Sequence, residues 1–566
     1  MLTLTTELFR SVIRRCIPPL ALAALSSFNA TNQMARPNLL RDLDIDGLAE
    51  VIPTYTEVGR AALLERLSDP ITDGIELDKR QAQIKSIKSR CKPATLATIR
   101  TELRETEEDV RSTANAADDT RHAEYYTQIL WPPESRFAWL NEIGWLNELI
   151  VFFRTLFLPG LSVILPLFVF VAPLIFYNLV LKEPLTVQGY FNMLQTSIKK
   201  AMPSVLGKAR FAGSGGILEV GEQFVHVGIS IAMFGASIWN QVSSAFAMRA
   251  VVADIRRRAD AVKRFAAATV RLGEALGVSV ESSVCDWILR REEGQLGLFG
   301  GAWNTPARLT TLLDTAGKLD MLAAVAMAKR TCFPTLCTGE RLKVTDLYHP
   351  GLSAKARIYN SLTMDGTDKN RRHVLLTGPN RGGKSTLLKS LGCAVLMAQT
   401  VGIVFARSAT IPVFDHIITA LSPQDVIGKL SLFEAEIEFA KEVKSRLGEG
   451  TMFLMMDEIF HGTNAHDGVE ASQVFLDDLY ATKAPVFSVV STHYMDLPGR
   501  YGATSSQNLC MEASVDPSDP DRLIYSYRLC EGVNRFSSVR EILRERGLLA
   551  PCVKRPEKTT EEASKV

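Results

Sequence analysis

The run HVLLTGPNRGGKSTLLKSLG, residues 373–392, constrains this chain more than any other segment. Its apolar start reads as a strand, its glycine-rich middle as a turn, and STLLKSLG as the opening of a helix. Gly378, Gly382 and Gly383 let the backbone curl so that successive N–H groups face one point, and the following helix directs its positive end at that point. Such a cradle suits a phosphate, and the spacing satisfies G-x-x-x-x-G-K-[ST] in the strand–turn–helix context that gives the pattern meaning. Pro379, Asn380 and Arg381 complete the loop. Lys384 would reach the β- and γ-phosphates of ATP, Ser385 would offer a hydroxyl to Mg²⁺, and Thr386 is a neighbouring polar contact. The alternative is a glycine-rich turn that happens to precede a lysine.

Two further apolar runs end in chemistry-bearing residues. TMFLMMDEIFHGTN reads as a strand closing on two carboxylates. Asp457 would hold Mg²⁺ through water and Glu458 would polarise the attacking water, roles that need separate carboxylates. VFSVVSTHY ends in Thr492 and His493, where the imidazole would sense the γ-phosphate. A strand-end histidine alone is more often structural, but here it follows two matching elements in the order of an ATP-hydrolysing site. The candidate catalytic residues are therefore Glu458 and His493, with Ser385 and Asp457 as the Mg²⁺ ligands. From Arg372 onward, β-rich apolar runs alternate with helical stretches, which predicts an α/β domain.

Length and charge bound the remainder. A chain of 566 residues calls for several structural units, and 64 Lys plus Arg against 62 Asp plus Glu give no overall basic surface, so any DNA contact has to be local. Nine cysteines are scattered without a framework; Cys332 and Cys337 flank Phe-Pro-Thr-Leu with no second ligand pair at zinc-site spacing, which reads as two ordinary thiols. Residues 1–45 are Arg-rich, with Glu7 the only acid before Asp42. They fit a mitochondrial presequence, a secretory signal with Ile17–Leu25 as its apolar core, or a disordered tail. Asn29-Ala30-Thr31 would be a glycosylation acceptor only with a lumenal N-terminus.

Residues 155–181 carry no charged side chain across 27 positions, and Arg154 and Lys182 flank them. As a helix this run would reach about 40 Å, more than the roughly 30 Å hydrocarbon core of a bilayer. Pro159, Pro166 and Pro173 predict kinks or a re-entrant path; a buried core helix is the alternative. Residues 223–248 form a second uncharged stretch, diluted by His226, Asn240 and Gln241, with Gly221, Gly228 and Gly235 on one smooth face. Together they predict a transmembrane hairpin within 151–249, its cationic ends on the cytosol-like side that also holds the ATP site. Trp131, Phe137, Trp139 and Trp145 fit either an interfacial belt or ordinary core packing. Arg256, Arg257, Arg258, Lys263 and Arg264 fit juxtamembrane anchoring or DNA contact. Helical periodicity over 76–122 and 250–330 places helical segments, 46–150 and 250–340, on both sides of the membrane region; 341–545 is the ATPase domain, and 546–566 reads as a disordered tail.

These residues carry a resemblance to the MutS family of DNA mismatch repair ATPases. TGPNRGGKST is similar to that family's TGPNMGGKST with Arg381 in place of methionine, DEIFHGTNAHDG to its DE-x-x-x-GT…DG element, and STHYMDL to its THY or THF switch. Leu347-Tyr348-His349-Pro350 stands where the family has R-H-P. Ser431-Leu432-Phe433-Glu434 resembles the serine loop, which makes Ser431 the candidate for reaching the γ-phosphate of a partner subunit. YSYRLCEGVNRFSSVREILRERG resembles the family's last strand and helical tail. Upstream, TEVGRAALLERLSDPITDGIELDKRQAQIKSI looks like the start of the family's helical core and LDMLAAVAMAKR like its return helix. The resemblance implies a mixed fold, a helical core followed by an α/β P-loop domain. It further implies ATP and Mg²⁺ as cofactors, a homodimer or MutS-like heterodimer, and DNA as a partner. No counterpart of the mismatch-reading domain or of its aromatic-x-Glu wedge is found, so the chain reads as a truncated, membrane-associated member. Its switch acts at a membrane, a mitochondrial inner membrane being one setting, or on DNA in repair or recombination.

Overall fold

The protein is described here by a computed structural model covering residues 35–116, 124–179, 214–280, 283–339, 341–421, 431–502 and 504–549, with isolated positions between 186 and 192. The readings placed on residues 1–34, including the secretory core and the glycosylation acceptor, and on the tail beyond 549 lie outside the described residues. The chain divides into two compact units: one from positions 1–100, 272–278 and 316–566, the other from 101–271 and 279–315.

In the first unit, apolar runs without alternation form strands buried on both faces. They are β4 (His373–Thr377), β7 (Met452–Met456) and β8 (Val486–Ser491), each wholly buried, as expected for a parallel sheet covered on both sides. With β6 (His416–Ala420), β9 (Gln507–Asp516) and β10 (Asp519–Glu531) they make a six-stranded sheet in the order β10-β9-β4-β8-β7-β6. All neighbours are parallel except β9 and β10. A second sheet, ordered β1-β5-β2-β3, joins β1 (Thr335–Cys337), β2 (Arg341–Leu347), β3 (Asn360–Asp365) and β5 (Ser408–Pro412). Cys332 and Cys337 both carry free thiols.

Leu375, Leu454 and Val490 of the large sheet share a core with Val443 of helix Leu432–Ser445 and with Phe475 and Leu479 of helix Ala465–Ala481. Helix Lys384–Thr400 is buried along nearly all its length because it lies between the sheet and the N-terminal helices. A Cβ on its Gly392 would meet Met455 Cε at 2.5 Å and Leu43 Cδ2 at 2.6 Å. Residues 35–45, assigned from composition to a tail, therefore belong to the packed structure. Helix Ala35–Asp42 lies against β6, and buried Asp42 accepts hydrogen bonds from Thr419 Oγ1 at 3.0 Å and Leu421 N at 2.9 Å. The C-terminal end of helix Lys384–Thr400 is satisfied in the same way. The Thr400 carbonyl accepts from Arg66 Nε at 3.0 Å and Arg80 Nη1 at 2.9 Å, cations placed where the helix dipole favours them.

The segments TEVGRAALLERL and LDMLAAVAMAKR meet at one buried carboxylate. Asp320 Oδ1 accepts from Arg100 Nε at 2.5 Å, and its Oδ2 accepts from Tyr55 N, Thr56 N and Thr56 Oγ1 at 2.8–3.0 Å. Thr56 also caps helix Glu57–Leu67 by accepting from Gly59 N. Glycine is required at 59, where a Cβ would stand 2.2 Å from Asp320 Oδ2.

The second unit is helical. Arg256 pairs with Glu148 at 2.8 Å, Arg257 with Asp109 at 2.7 Å, Arg258 with Asp254 at 2.9 Å and Arg264 with Glu105 at 3.6 Å. Four of the five cations read as membrane anchors or DNA contacts are thus spent on ion pairs within this unit. Tyr126, buried against Phe299 and Trp303, donates to Asp254 Oδ2 at 2.5 Å and joins the same network.

Of the membrane expectation, one apolar helix is supported. Helix Gly144–Phe152 continues through a π-helical turn, Phe153–Phe157, into helix Leu158–Leu179, which runs through all three prolines. Among the described residues one stretch, Gly144–Leu165, is long and apolar enough to cross a membrane, and 11% of it is buried. The expected second span, 223–248, is part of a 63-residue helix, Ser214–Leu276, and is not among the stretches that meet this measure within the described residues. A hairpin is therefore not supported. Trp131, Phe137, Trp139 and Trp145 are all exposed, which excludes core packing for them.

Replacing Asp320 by Ala leaves the Arg100 guanidinium and the Tyr55 and Thr56 amides buried without their acceptor, and should cost about 3–5 kcal/mol. Urea unfolding of the wild type and variant checks this; a loss under about 1 kcal/mol contradicts a central role for the pair.

Candidate active site

Three sheet strands end side by side at the site. β8 lies between β4 and β7, and all three are parallel, so the loop after β4, the carboxylates after β7 and the histidine after β8 share one carboxyl edge. Open parallel sheets bind ligands at this edge.

The loop after β4 has the backbone its glycines predict. Gly378 has φ 149°, Arg381 φ 67° and Gly383 φ 96°, conformations that turn successive N–H groups toward one concavity. A Cβ on Gly383 would stand 3.3 Å from Tyr527 Cδ1, a tight contact, and in ordinary contact with Met511 Cε at 3.5 Å. Pro379 closes the turn by accepting from Gly382 N at 3.0 Å. Lys384 is buried, with its Nζ donating to the carbonyls of Gly378 at 3.0 Å and Pro379 at 3.4 Å. Burial pushes its amine down from the ordinary lysine value, while Glu458 and Asp457 pull it back up. Ser385, Thr386 and Asn380 are exposed beside the loop. Arg381 points the other way, to an ion pair with Glu545 of helix Val539–Glu545.

The carboxylates and histidine converge on Lys384. His493 Nε2 lies 3.0 Å from Glu458 Oε1 and 3.3 Å from Lys384 Nζ. The Nε2–H donates to the carboxylate, and this bond is the main reason the Glu458 carboxyl sits below its ordinary range. Asp457 is fixed differently: its amide donates to the Ala420 carbonyl at 2.9 Å, and its Oδ1 accepts from Ser491 Oγ. The same hydroxyl accepts from Glu458 N at 2.8 Å, so Ser491 orients both carboxylates. Sequence reasoning passed over Ser491, although its position directly before Thr492 and His493 was a signal. It passed over Tyr527 as well, whose place against Gly383 depends on a bulge between Tyr525 and Leu529.

The donor set fits a nucleoside triphosphate with Mg²⁺: a backbone nest and a buried ammonium for phosphate, an exposed hydroxyl at Ser385, and an oriented carboxylate at Asp457. Among the described residues no group of three or more His, Cys, Asp and Glu could hold a metal alone.

Ser431 is not brought to this cluster. It caps helix Leu432–Ser445, its Oγ accepting from Glu434 N at 3.4 Å while Glu434 Oε2 accepts from Ser431 N at 2.8 Å. Among the described residues its side-chain hydrogen bonds go to Glu434 of its own helix and none goes to the loop of its own chain. His349 is half-buried after β2, where burial, chiefly, lowers its imidazole from the ordinary value.

Comparison with known proteins agrees with this geometry. Residues 374–563 match the family model for MutS domain V. The chain is 30% identical over 224 residues to a DNA mismatch repair protein MutS of Pelotomaculum thermopropionicum, covering 39% of this chain and 25% of the relative. It is 30% identical over 257 residues to an endonuclease MutS2 of Thermus thermophilus, covering 45% and 33%. Against the DNA mismatch repair protein Msh3 of Mus musculus the identity is 27% over 255 residues, covering 42% and 23%. The matches thus span about a quarter to a third of the length of these relatives.

Gly383→Ala puts a Cβ on a backbone at φ 96° and should destabilise the domain by about 1–2 kcal/mol. Thermal unfolding measures it; a variant as stable as the wild type contradicts the left-handed loop conformation.

Proposed function

We propose, from the premise that this chain belongs through its C-terminal region to the MutS family, that it is an ATPase whose turnover drives a conformational switch. The observation that carries the reading is the convergence of Lys384, Glu458 and His493 at the carboxyl edge of β4, β7 and β8. The loop Gly378-Pro379-Asn380-Arg381-Gly382-Gly383 binds the triphosphate through its amides, Lys384 turns from the loop carbonyls to the β- and γ-phosphates, and Thr386 adds a polar contact. Mg²⁺, when bound, offsets the phosphate charge, with Ser385 and Asp457 as the residues that would hold it. Glu458, kept ionised by the His493 hydrogen bond, orients and polarises the attacking water, and His493 registers the γ-phosphate.

Two copies complete the switch in this proposal, as a homodimer or with a MutS-like partner. Ser431 is an exposed cap at the head of its helix, a position suited to another chain's nucleotide.

The apolar helix supports a membrane anchor. Along Gly144–Leu165, Trp145, Phe152, Leu156, Ile164 and Leu165 are exposed, an apolar surface that water does not favour. ATP hydrolysis would then act at a membrane, with the ATPase on the cytosol-like side. A mitochondrial inner membrane is one setting that an Arg-rich, acid-poor segment before Asp42 would fit. The second reading, a DNA-binding repair or recombination factor, is favoured by the names of the relatives; the internal pairing of the arginines at 256–258 and 264 weighs against those cations as its DNA contacts.

Lys384→Ala should abolish nucleotide binding, and Glu458→Gln should retain ATP while lowering turnover at least about 100-fold. Wild-type hydrolysis rates in both variants would refute the assignment. Membrane fractions washed with alkaline carbonate should retain the full chain; complete release, together with salt-sensitive binding of the purified protein to duplex DNA, favours the second reading.

A further inference from the structure

The turn that carries Glu458 holds an unusual backbone. Glu458 has φ 53° and Phe460 φ 49°, and neither is glycine. Such residues cost about 1–2 kcal/mol each and persist only where their surroundings hold them. Two neighbours do so. On one side Tyr494 OH donates to the Phe460 carbonyl at 2.8 Å. On the other stands Glu436, a carboxylate 6% exposed on helix Leu432–Ser445.

Glu436 grips the turn at two points. Its Oε2 accepts from Gly462 N at 3.2 Å, and its Oε1 lies 3.0 Å from His461 Nδ1. His461 Nδ1 is also 2.9 Å from the Glu458 carbonyl, so one N–H is shared between the carboxylate and the backbone of Glu458 itself. Burial pushes the Glu436 carboxyl up from its ordinary range, and the Gly462 amide and His461 act against that shift. The contact is close-packed: a Cβ on Gly462 would meet Leu432 Cγ and Phe433 N at 2.8 Å. The first residues of the helix that Ser431 caps thus lie directly on the turn behind Glu458.

We propose that Glu436 is a positioning residue for hydrolysis, which fixes the Glu458 backbone through His461 and Gly462 and ties it to the helix that begins at Ser431. The inference rests on the ATPase reading above. It makes the helix a link between two sites, since a ligand engaging Ser431 from a second copy acts on the start of the same helix that holds Glu458. Displacement at one end changes the geometry of water activation at the other, and positional errors near 1 Å at a reacting centre cost up to about 100-fold in rate.

The test compares the purified full chain with Glu458→Gln, Glu436→Gln, His461→Asn and the Glu436→Gln/His461→Asn double variant, measuring kcat, KM for ATP and the affinity of a fluorescent ATP analogue. Glu436→Gln should lower kcat on the order of 10- to 100-fold while KM and analogue affinity stay within about 3-fold. The double variant should be no slower than the slower single, because both substitutions cut one connection. An unchanged kcat in Glu436→Gln, or losses that multiply in the double variant, overturns the proposal. If Glu436→Gln fails to fold, as loss of analogue binding would reveal, His461→Asn decides alone: a kcat loss at unchanged KM supports it and wild-type kinetics overturns it. A wild type that hydrolyses no ATP overturns the ATPase reading and this inference with it.

Discussion

A buried ammonium is the constraint on which the rest of the first unit depends. Lys384 lies within the domain, where an unpaired charge would be costly, and so it requires acceptors on every side it presents. The loop supplies two carbonyls, and that needs the left-handed glycine backbone. The strand ends supply negative charge, and that needs β7 and β8 beside β4 in parallel. The glycines of the loop, the order of the strands and the placement of Asp457, Glu458 and His493 all answer one electrostatic demand. A cation held by weak acceptors in this way is also ready to exchange them for phosphate oxygens.

The helices before the ATPase-like region are part of the same structure. Asp42 caps β6, Arg66 and Arg80 cap the phosphate-loop helix, and Asp320 joins the helix start at Thr56 to Arg100. Any motion of the loop helix therefore meets fixed polar contacts from residues more than 300 positions earlier. That gives the proposed switch a path from nucleotide to helical core made of hydrogen bonds between rigid elements.

The sheet and the site were the legible parts of the sequence, for a physical reason. Parallel strands buried on both faces read as unbroken apolar runs, and HVLLT, MFLMM and VFSVV are such runs; a phosphate loop needs glycine at fixed positions. The helical parts were less legible, because their decisive contacts are distant in sequence. Nothing local marks Asp42 as a strand cap, and the arginines at 256–258 look free until Glu148, Asp109 and Asp254 are placed around them. The second apolar stretch is part of a 63-residue helix, Ser214–Leu276, and nothing local in 223–248 marks how far that helix runs. Ser491 and Glu436 escaped notice because their importance lies in what they orient, which only the fold reveals.

The central claim is that this chain hydrolyses ATP at a site that a second copy completes. Phosphate release from MgATP by the purified full chain, followed as protein concentration is raised, tests it most directly. The account predicts Mg²⁺-dependent release whose rate per chain climbs with concentration to a plateau as dimers form. Release that is absent, or a rate per chain that is the same at every concentration although the protein is monomeric at the lowest, would contradict it.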